Sequence, residues 1–460
     1  MTTEGTVRPS RGTAVVIGGS MAGLSAAAVL APRFSSVVIV ERDPIADHPA
    51  DRKGVPQGRH AHGLLPAGLE RLERWFPGLT QELVEAGATE VDIGNDAVWY
   101  QGGGYRRRFR TGLSGPVASR ALLEHQVRRR ALALANVTLR SGARATGLTT
   151  DDDGSAVTGV ILDDGTTLAA DLVVDASGRA ARSLPWLRAL GYDAPPTSHI
   201  GIDVAYASRV FQAGAPTDWK VAVVLAGPPT GRQGVVLPLE GGRWLVTLAG
   251  MHGEHPPTDG AGFLAFARSL PSPEVADLVE RAAPLGPIVS HRLASNQRRH
   301  VERLRRVPGG LVLLGDAVCS FNPIYAQGMS TAALQAEALE QTLERVGGVD
   351  ARFVKAFYKA AAKAITPAWQ LTTGADFALP ATTGLKAPGT DLLNRYMPHV
   401  FRASRVDERV ALRLIEVTSL MRRPPALLAP SIMLRAFRAS RRAQPAATPA
   451  HVREPQPTAA

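Results

Sequence analysis

Between Thr13 and Glu41 the chain runs from a short apolar stretch, Thr13–Gly18, through Gly18, Gly19 and Gly23 into the alanine-rich stretch Met21–Leu30. A second apolar run, Val37–Val40, follows. Short β-branched runs bounded by turn residues read as buried strands, and the alanine-rich piece between them reads as a helix able to lie close to a sheet. Two buried strands joined by a helix make a parallel pair with a right-handed crossover. A parallel pair needs cover on both faces, so the chain is expected to be an α/β protein.

The turn carries chemistry. A dinucleotide-binding turn wants glycines at positions 18, 20 and 23 of this numbering, and the chain offers Gly18, Ser20 and Gly23. The first glycine makes the turn, the second lets backbone approach a pyrophosphate, and the third lets helix and strand pack closely. Ser20 is small enough to leave room. The helix start, Gly18, Gly19, Ser20, Met21, Ala22 and Gly23, would offer free N–H groups to phosphate. Glu41, followed by Arg42, ends the second strand 18 residues after Gly23. An acid there binds ribose hydroxyls and repels a 2′-phosphate.

Composition narrows the rest. The 460 residues are 45% apolar and 20% charged, so two or three structural units with a large core are expected. The single cysteine, Cys319, excludes an intrachain disulfide and a Cys-rich metal site, and reads as a small packing residue. No metal site is expected, since His60-x-His62 has no neighbours to complete a ligand set. The net charge of +11 comes from arginine, 46 of the 52 basic residues, spread along the chain without aromatic-interleaved blocks. Nucleic acid is therefore not an expected partner. The apolar stretch Thr13–Ala31 is broken by its glycines and reads as neither a membrane span nor a secretory signal. A cytoplasmic protein is expected.

Residues 1–11 read as frayed. Pro44–Gly63 is a long loop, and such loops in compact domains are commonly functional. Alternation in 200–210, a strand at 221–225 and a hairpin around Gly241-Gly242 place an antiparallel sheet in the middle of the chain. The expected layout is a discontinuous nucleotide-binding domain (12–90, 115–195, 290–350), a substrate domain (91–114, 196–289), a helical C-terminal region (351–443) and a flexible tail (444–460).

Three segments carry a family resemblance. Leu311–Thr331, LVLLGDAVCSFNPIYAQGMST, resembles the second flavin motif of aromatic-hydroxylase-type FAD monooxygenases, with Ala326-Gln327-Gly328 where Gly-Gln-Gly is usual. Asp171–Ser183, DLVVDASGRAARS, resembles the family's middle motif, with Ser177-Gly178 in place of Asp-Gly. Arg120 matches the arginine that opens a helix and reaches the FAD phosphates. The resemblance covers about residues 12–350. It implies a Rossmann-like FAD-binding domain with an inserted antiparallel-sheet substrate domain and a helical C-terminal region. It implies Asp316 on the ribitol, and the segment Pro323, Gln327, Gly328 and Met329 at the isoalloxazine. Asp175 takes the place of the missing motif acid.

A narrower resemblance, in Arg52–His62 (RKGVPQGRHAH), Phe321–Tyr325 and PLEGGRWLVTL, is to flavin epoxidases of bacterial polyether biosynthesis. It implies that NADH or NADPH reduces FAD, O2 adds as a C4a-hydroperoxide, and one oxygen atom enters a small lipophilic polyketide alkene. An alkene needs no general base, whereas a phenol is helped by one. On this reading Arg52 and Lys53 steady the flavin or meet the reductant, and His60 and His62 donate to peroxide or substrate. Trp244, Phe321 and Tyr325 line the substrate cavity. Lys53, His60 and His62 are thus the catalytic candidates. The alternatives are a hydroxylase, a halogenase using Lys53, a prenyl-chain reductase, or a binding protein without flavin. Pro424–Arg442 reads as a lid helix with a solvated basic end, so membrane contact is not expected.

Overall fold

The computed structural model describes residues 11–214 and 216–443. Of the frayed start expected at residues 1–11, residues 1–10 lie outside the described residues and Arg11 opens a strand instead; the flexible tail expected at 444–460 also lies outside them.

The glycine-turn unit forms as its sequence requires. Strands Arg11–Ile17 and Phe34–Glu41 pair in parallel around the helix Met21–Leu30. They sit in a five-stranded parallel sheet with Leu311–Leu313 and Leu172–Asp175 on one side and Val137–Ser141 on the other. The helix Met21–Leu30 is buried nearly all round because Gly328–Arg345 packs against its outer face. Alanines on its surface let backbone come close. At Gly23 the approach is so tight that a Cβ would lie 1.8 Å from the Gly18 carbonyl oxygen.

A second sheet follows from the middle of the chain. Its main strands run Cys319–Ser320, Val289–Arg299, Thr197–Gln212, Arg243–Met251, Gln233–Leu239, Val221–Leu225 and Ala97–Gln101. The hairpin expected around Gly241-Gly242 is present, but three residues connect it, since Leu239 and Arg243 form the last pair. The whole strand Val289–Arg299 pairs with Thr197–Gln212, so the domain boundary expected at 290 moves past Arg299. The expected fold class, a Rossmann-like unit with an inserted antiparallel sheet and C-terminal helices, describes the molecule.

Strand alternation gives this sheet two unlike faces. Ala222, Val224, Val236, Val246 and Leu248 pack under the helices Gly260–Arg268 and Glu274–Arg281, with Phe263, Phe266 and Val275. Val221, Val223, Val235, Leu237, Thr247 and Ala249 point the other way, into a cavity. The C-terminal helices roof it. They are Ala351–Asp376, Thr390–Ala403 and Glu408–Thr418, the latter two held by a small core of their own with Pro430–Arg442. No helix among the described residues is long and apolar enough to cross a membrane.

Gly23→Ala places a methyl inside a backbone carbonyl, which forces helix and strand apart. Overpacking of this kind costs about 1–3 kcal/mol. Urea denaturation should show the lowered midpoint; an unchanged midpoint would contradict the close approach.

Candidate cofactor and substrate site

The glycine turn sits on a buried network of charge. Gly18 is in the left-handed region at φ 106°, and Gly19 N–H donates to Glu41 Oε2 at 2.8 Å. Arg52 bridges beneath, with Nη1 3.0 Å from Glu41 Oε2 and Nε donating to Glu124 Oε1 at 2.8 Å. Arg120 Nη2 donates to Glu124 Oε2 at 2.9 Å and to Ser20 Oγ at 2.8 Å, while the Ser20 hydroxyl donates to Glu124 Oε2 at 2.6 Å. The serine that replaces the second glycine is thus a working link in the network. Burial alone would raise the Glu124 pKa, but Arg120 and Arg52 bring it down to about 2. Glu124 was not singled out in the sequence, although its i,i+4 spacing to both Arg120 and Arg128 is a visible signal.

Several groups around this groove are poised for a missing partner. The helix Met21–Leu30 begins at Ser20 with no side-chain cap, and Gly328–Arg345 begins at Gln327 likewise, so both first turns present free N–H groups. Arg120 Nε is buried with no partner among the described residues. No hydrogen-bond donor among the described residues reaches the Asp316 carboxylate, and burial pushes its pKa up to about 6, against the pull of Arg179 and Arg120. Phosphate on the first helix, ribose on Glu41 and hydroxyls on Asp316 would meet these needs, so the residues present fit FAD. Ala326 holds a left-handed turn at φ 54°, a conformation glycine adopts more readily, yet the turn forms as the motif requires.

Other expected residues sit elsewhere. Asp175 is fully buried and its carboxylate is used up by Ser177 N–H, Ser183 N–H and the Ser183 hydroxyl, so it holds its own loop and faces no groove. Met21 and Met329 bury their side chains in the core, leaving backbone alone for a ligand. Arg42 and Lys53 line a separate basic hollow of about 640 Å³ with Arg128 and Arg144, at the end of Phe34–Glu41. Arg52 is locked between carboxylates below the turn, and its part is structural. Lys53 is exposed and outside the large cavity, which removes it as a catalytic candidate.

The large cavity has a volume of about 1080 Å³ and an apolar lining. Arg120, Pro323 and Gln327, beside the glycine turn and at the second helix start, stand in its wall, so the cavity reaches residues that would hold FAD. Of the three expected lining aromatics only Tyr325 is there. Trp244 shares the strand phase of Val246 and Leu248, which turns it to the helix-covered face against Trp219, with ring centroids 5.5 Å apart. Phe321 is a core residue beside Trp369.

His60 and His62 both line the cavity. His60 Nδ1 lies 2.8 Å from Ser208 Oγ, which meets Thr247 Oγ1 at 2.7 Å. His62 Nδ1 lies 2.8 Å from the His60 carbonyl oxygen, which can only accept. The proton therefore sits on Nδ1, and Nε2 carries a lone pair. Burial, then nearby positive charge, lowers both pKa values to about 4, so both rings are neutral at pH 7. The expectation that they donate narrows: His62 can only accept through Nε2.

The sequence reading missed Asp376, the end of the long C-terminal helix. It is fully buried and accepts from Asn296 Nδ2 at 2.6 Å, Asn322 Nδ2 at 2.9 Å and Tyr325 Oη at 2.9 Å. It ties the roof to the loop before Gly328. Thr372 Oγ1 adds a bond to Gln327 Oε1 at 2.8 Å. Spacing gives no sign of these pairings, which join segments far apart in the chain.

Glu124→Gln leaves Arg52, Arg120 and Arg128 crowded around a neutral group and should cost about 3–5 kcal/mol, while weakening FAD binding. Because Glu124 is held below its ordinary value of 4.5, its contribution is present above that pH and is lost as pH falls toward about 2. The variant should lose that part of the acid limb in urea titrations; an identical limb would show Glu124 unpaired.

The comparisons agree with this geometry. The "FAD binding domain" family model matches residues 11–352. The chain is 33% identical to Protein Rv3254 of Mycobacterium tuberculosis (strain ATCC 25618 / H37Rv) over 395 residues, 82% of each chain. The fold is similar to that of the flavin-dependent brominase Bmp2, at 16% identity and TM-score 0.65 over 94% of this chain and 99% of that one. It is also similar to P. aeruginosa PqsL solved with 2-aminobenzoylacetate, at 19% identity and TM-score 0.60 over 80% and 97% of the two chains. With the glycine turn, Arg120 and Asp316 all inside the matched region, this chain belongs to the FAD binding domain family.

Proposed function

We propose that the protein is an FAD-dependent monooxygenase that puts one oxygen atom from O2 into a lipophilic substrate, with NADH or NADPH as transient reductant. The observation that carries this reading is an apolar cavity of about 1080 Å³ whose wall includes Arg120, Pro323 and Gln327, residues of the proposed cofactor site. A cavity of that size holds a drug-sized or larger apolar molecule and excludes water from it.

Bound FAD would supply electron transfer and oxygen activation. The chain supplies the rest. Gly18–Gly23, Glu41, Arg120 and Asp316 bind the cofactor. The free helix start at Gly328 offers N–H groups to negative charge. Sheet and roof hold the substrate. His62 Nε2 can take a proton or accept a hydrogen bond at the cavity wall.

Alkene epoxidation of a polyketide is our preferred finer reading, since it needs no base; hydroxylation would draw on His62. Halogenation through a lysine is disfavoured, because no lysine lines the cavity among the described residues. The test is turnover of the FAD-loaded protein with NADH or NADPH under ¹⁸O2, offering linear polyenes and phenols separately. A product carrying one ¹⁸O atom is expected; product without label overturns oxygenation.

Because both cavity histidines are neutral well above their pKa of about 4, neither should titrate in the kcat profile from roughly pH 6 to 8. A limb centred near 6.5 that disappears in His62→Gln would show the ring to be protonated in the working enzyme.

A further inference from the structure

Arg106, Arg107 and Arg108 are consecutive, yet they meet different fates. Arg107 pairs with Glu408 at 3.0 Å and Arg108 with Asp218 at 2.8 Å, both near the surface. Arg106 turns inward. It is 8% exposed, lies in the cavity wall, and has neither a carboxylate nor a hydrogen-bond acceptor for its guanidinium among the described residues. Its one favourable contact is the Trp99 ring, 4.4 Å from the guanidinium carbon. Trp99 stands in the same wall, and its indole Nε1–H is buried with no acceptor among the described residues.

A guanidinium presents five N–H donors and keeps its charge at any physiological pH. Burial pulls the Arg106 pKa down to about 10, with no acid close enough to oppose it. A cation–π contact recovers part of the lost hydration but accepts only weakly from the N–H groups. Buried charges in folded proteins are paired with protein groups or met by water, so an unpaired guanidinium on a cavity wall offers an anion its donors. The other buried arginine in this wall, Arg120, already holds Glu124. The acid Asp391 and the base Arg395 also border the cavity, but both are exposed and sit at its rim.

We propose that the cavity takes an amphipathic anion, with an apolar body on the sheet face and an acidic oxygen group held by the Arg106 guanidinium and the Trp99 indole N–H. The anionic group is a carboxylate, sulfonate or phosphate; bidentate oxygen anions match the planar fork of arginine. This names the substrate class of the proposed oxygenase and rests on reading the cavity as its substrate site. Arg106 is then a specificity-determining residue, distant in role from the cofactor network.

The test uses two probes sharing one ring system, 1-anilinonaphthalene-8-sulfonate and the uncharged N-phenyl-1-naphthylamine, titrated calorimetrically into FAD-loaded protein. The sulfonate should bind one per chain, compete with the neutral probe, and bind about tenfold tighter or more. Arg106→Met should erase that preference while leaving the neutral probe's affinity and the flavin spectrum unchanged. Arg106→Lys should keep part of it, and Trp99→Phe should weaken the sulfonate alone. Equal affinity of the two probes, or a preference that survives Arg106→Met, overturns the proposal. Failure of the neutral probe to bind at all overturns the cavity as a lipophilic site, and with it the substrate reading of the proposed function. An Arg106→Met protein that loses flavin or the neutral probe shows Arg106 to be structural, which also overturns the proposal.

Discussion

A β-sheet has two faces, and in the substrate unit only one is filled. Phe263, Phe266 and Val275 close the helix side of the sheet, so Ala222, Val224, Val236, Val246 and Leu248 are ordinary core. The opposite face has the same apolar character but is covered only in part, by Val91 and Val117 at one end and by Leu379 and Trp369 at the other. The C-terminal helices stand off from it and are tied down at their margins by Asp376, by Thr372 and by their own small core. The space between is the cavity. The gap organises the candidate site, because Arg120 and Gln327, beside the glycine turn and at the second helix start, stand in its wall.

The polar groups of the gap divide by whether the protein has already satisfied them. Glu41, Arg52, Glu124, Ser20 and one end of Arg120 bond to one another and hold the glycine turn in shape, while Arg120 Nε has no partner among the described residues. Asp376 is likewise saturated by two asparagines and a tyrosine. Asp316, Arg106, the Trp99 indole and the Tyr206 hydroxyl have no such partners among the described residues. Leaving a buried polar group unmatched costs about 1–3 kcal/mol, more when it is charged. Groups of the first kind stabilise the fold; groups of the second kind describe ligands by what they lack.

Legibility in the sequence followed the range of the interactions. The glycine turn, Glu41 and Arg120 were readable because strand, turn and helix are local and their spacing is imposed by backbone geometry. The antiparallel insert was readable from alternation and the Gly241-Gly242 turn. The same alternation carries the signal for Trp244, which lies in phase with Val246 and Leu248 and therefore on the helix-covered face. Asp175 looked like a cofactor ligand by position in a motif, yet Ser183, eight residues on, had already claimed its carboxylate. Arg52 and Lys53 are neighbours in sequence, and one became a buried strut while the other stayed in solvent.

The amino-acid sequence by itself determined the α/β class, the cofactor-binding turn and the presence of a second sheet. These depend on periodicity and on residues within about one supersecondary unit, which act before the chain closes. Tertiary structure alone decided which sheet face became the cavity, which helices roof it, and which of three adjacent arginines lost its counter-ion. Those outcomes depend on segments hundreds of residues apart meeting in space, and no local spacing records such a meeting.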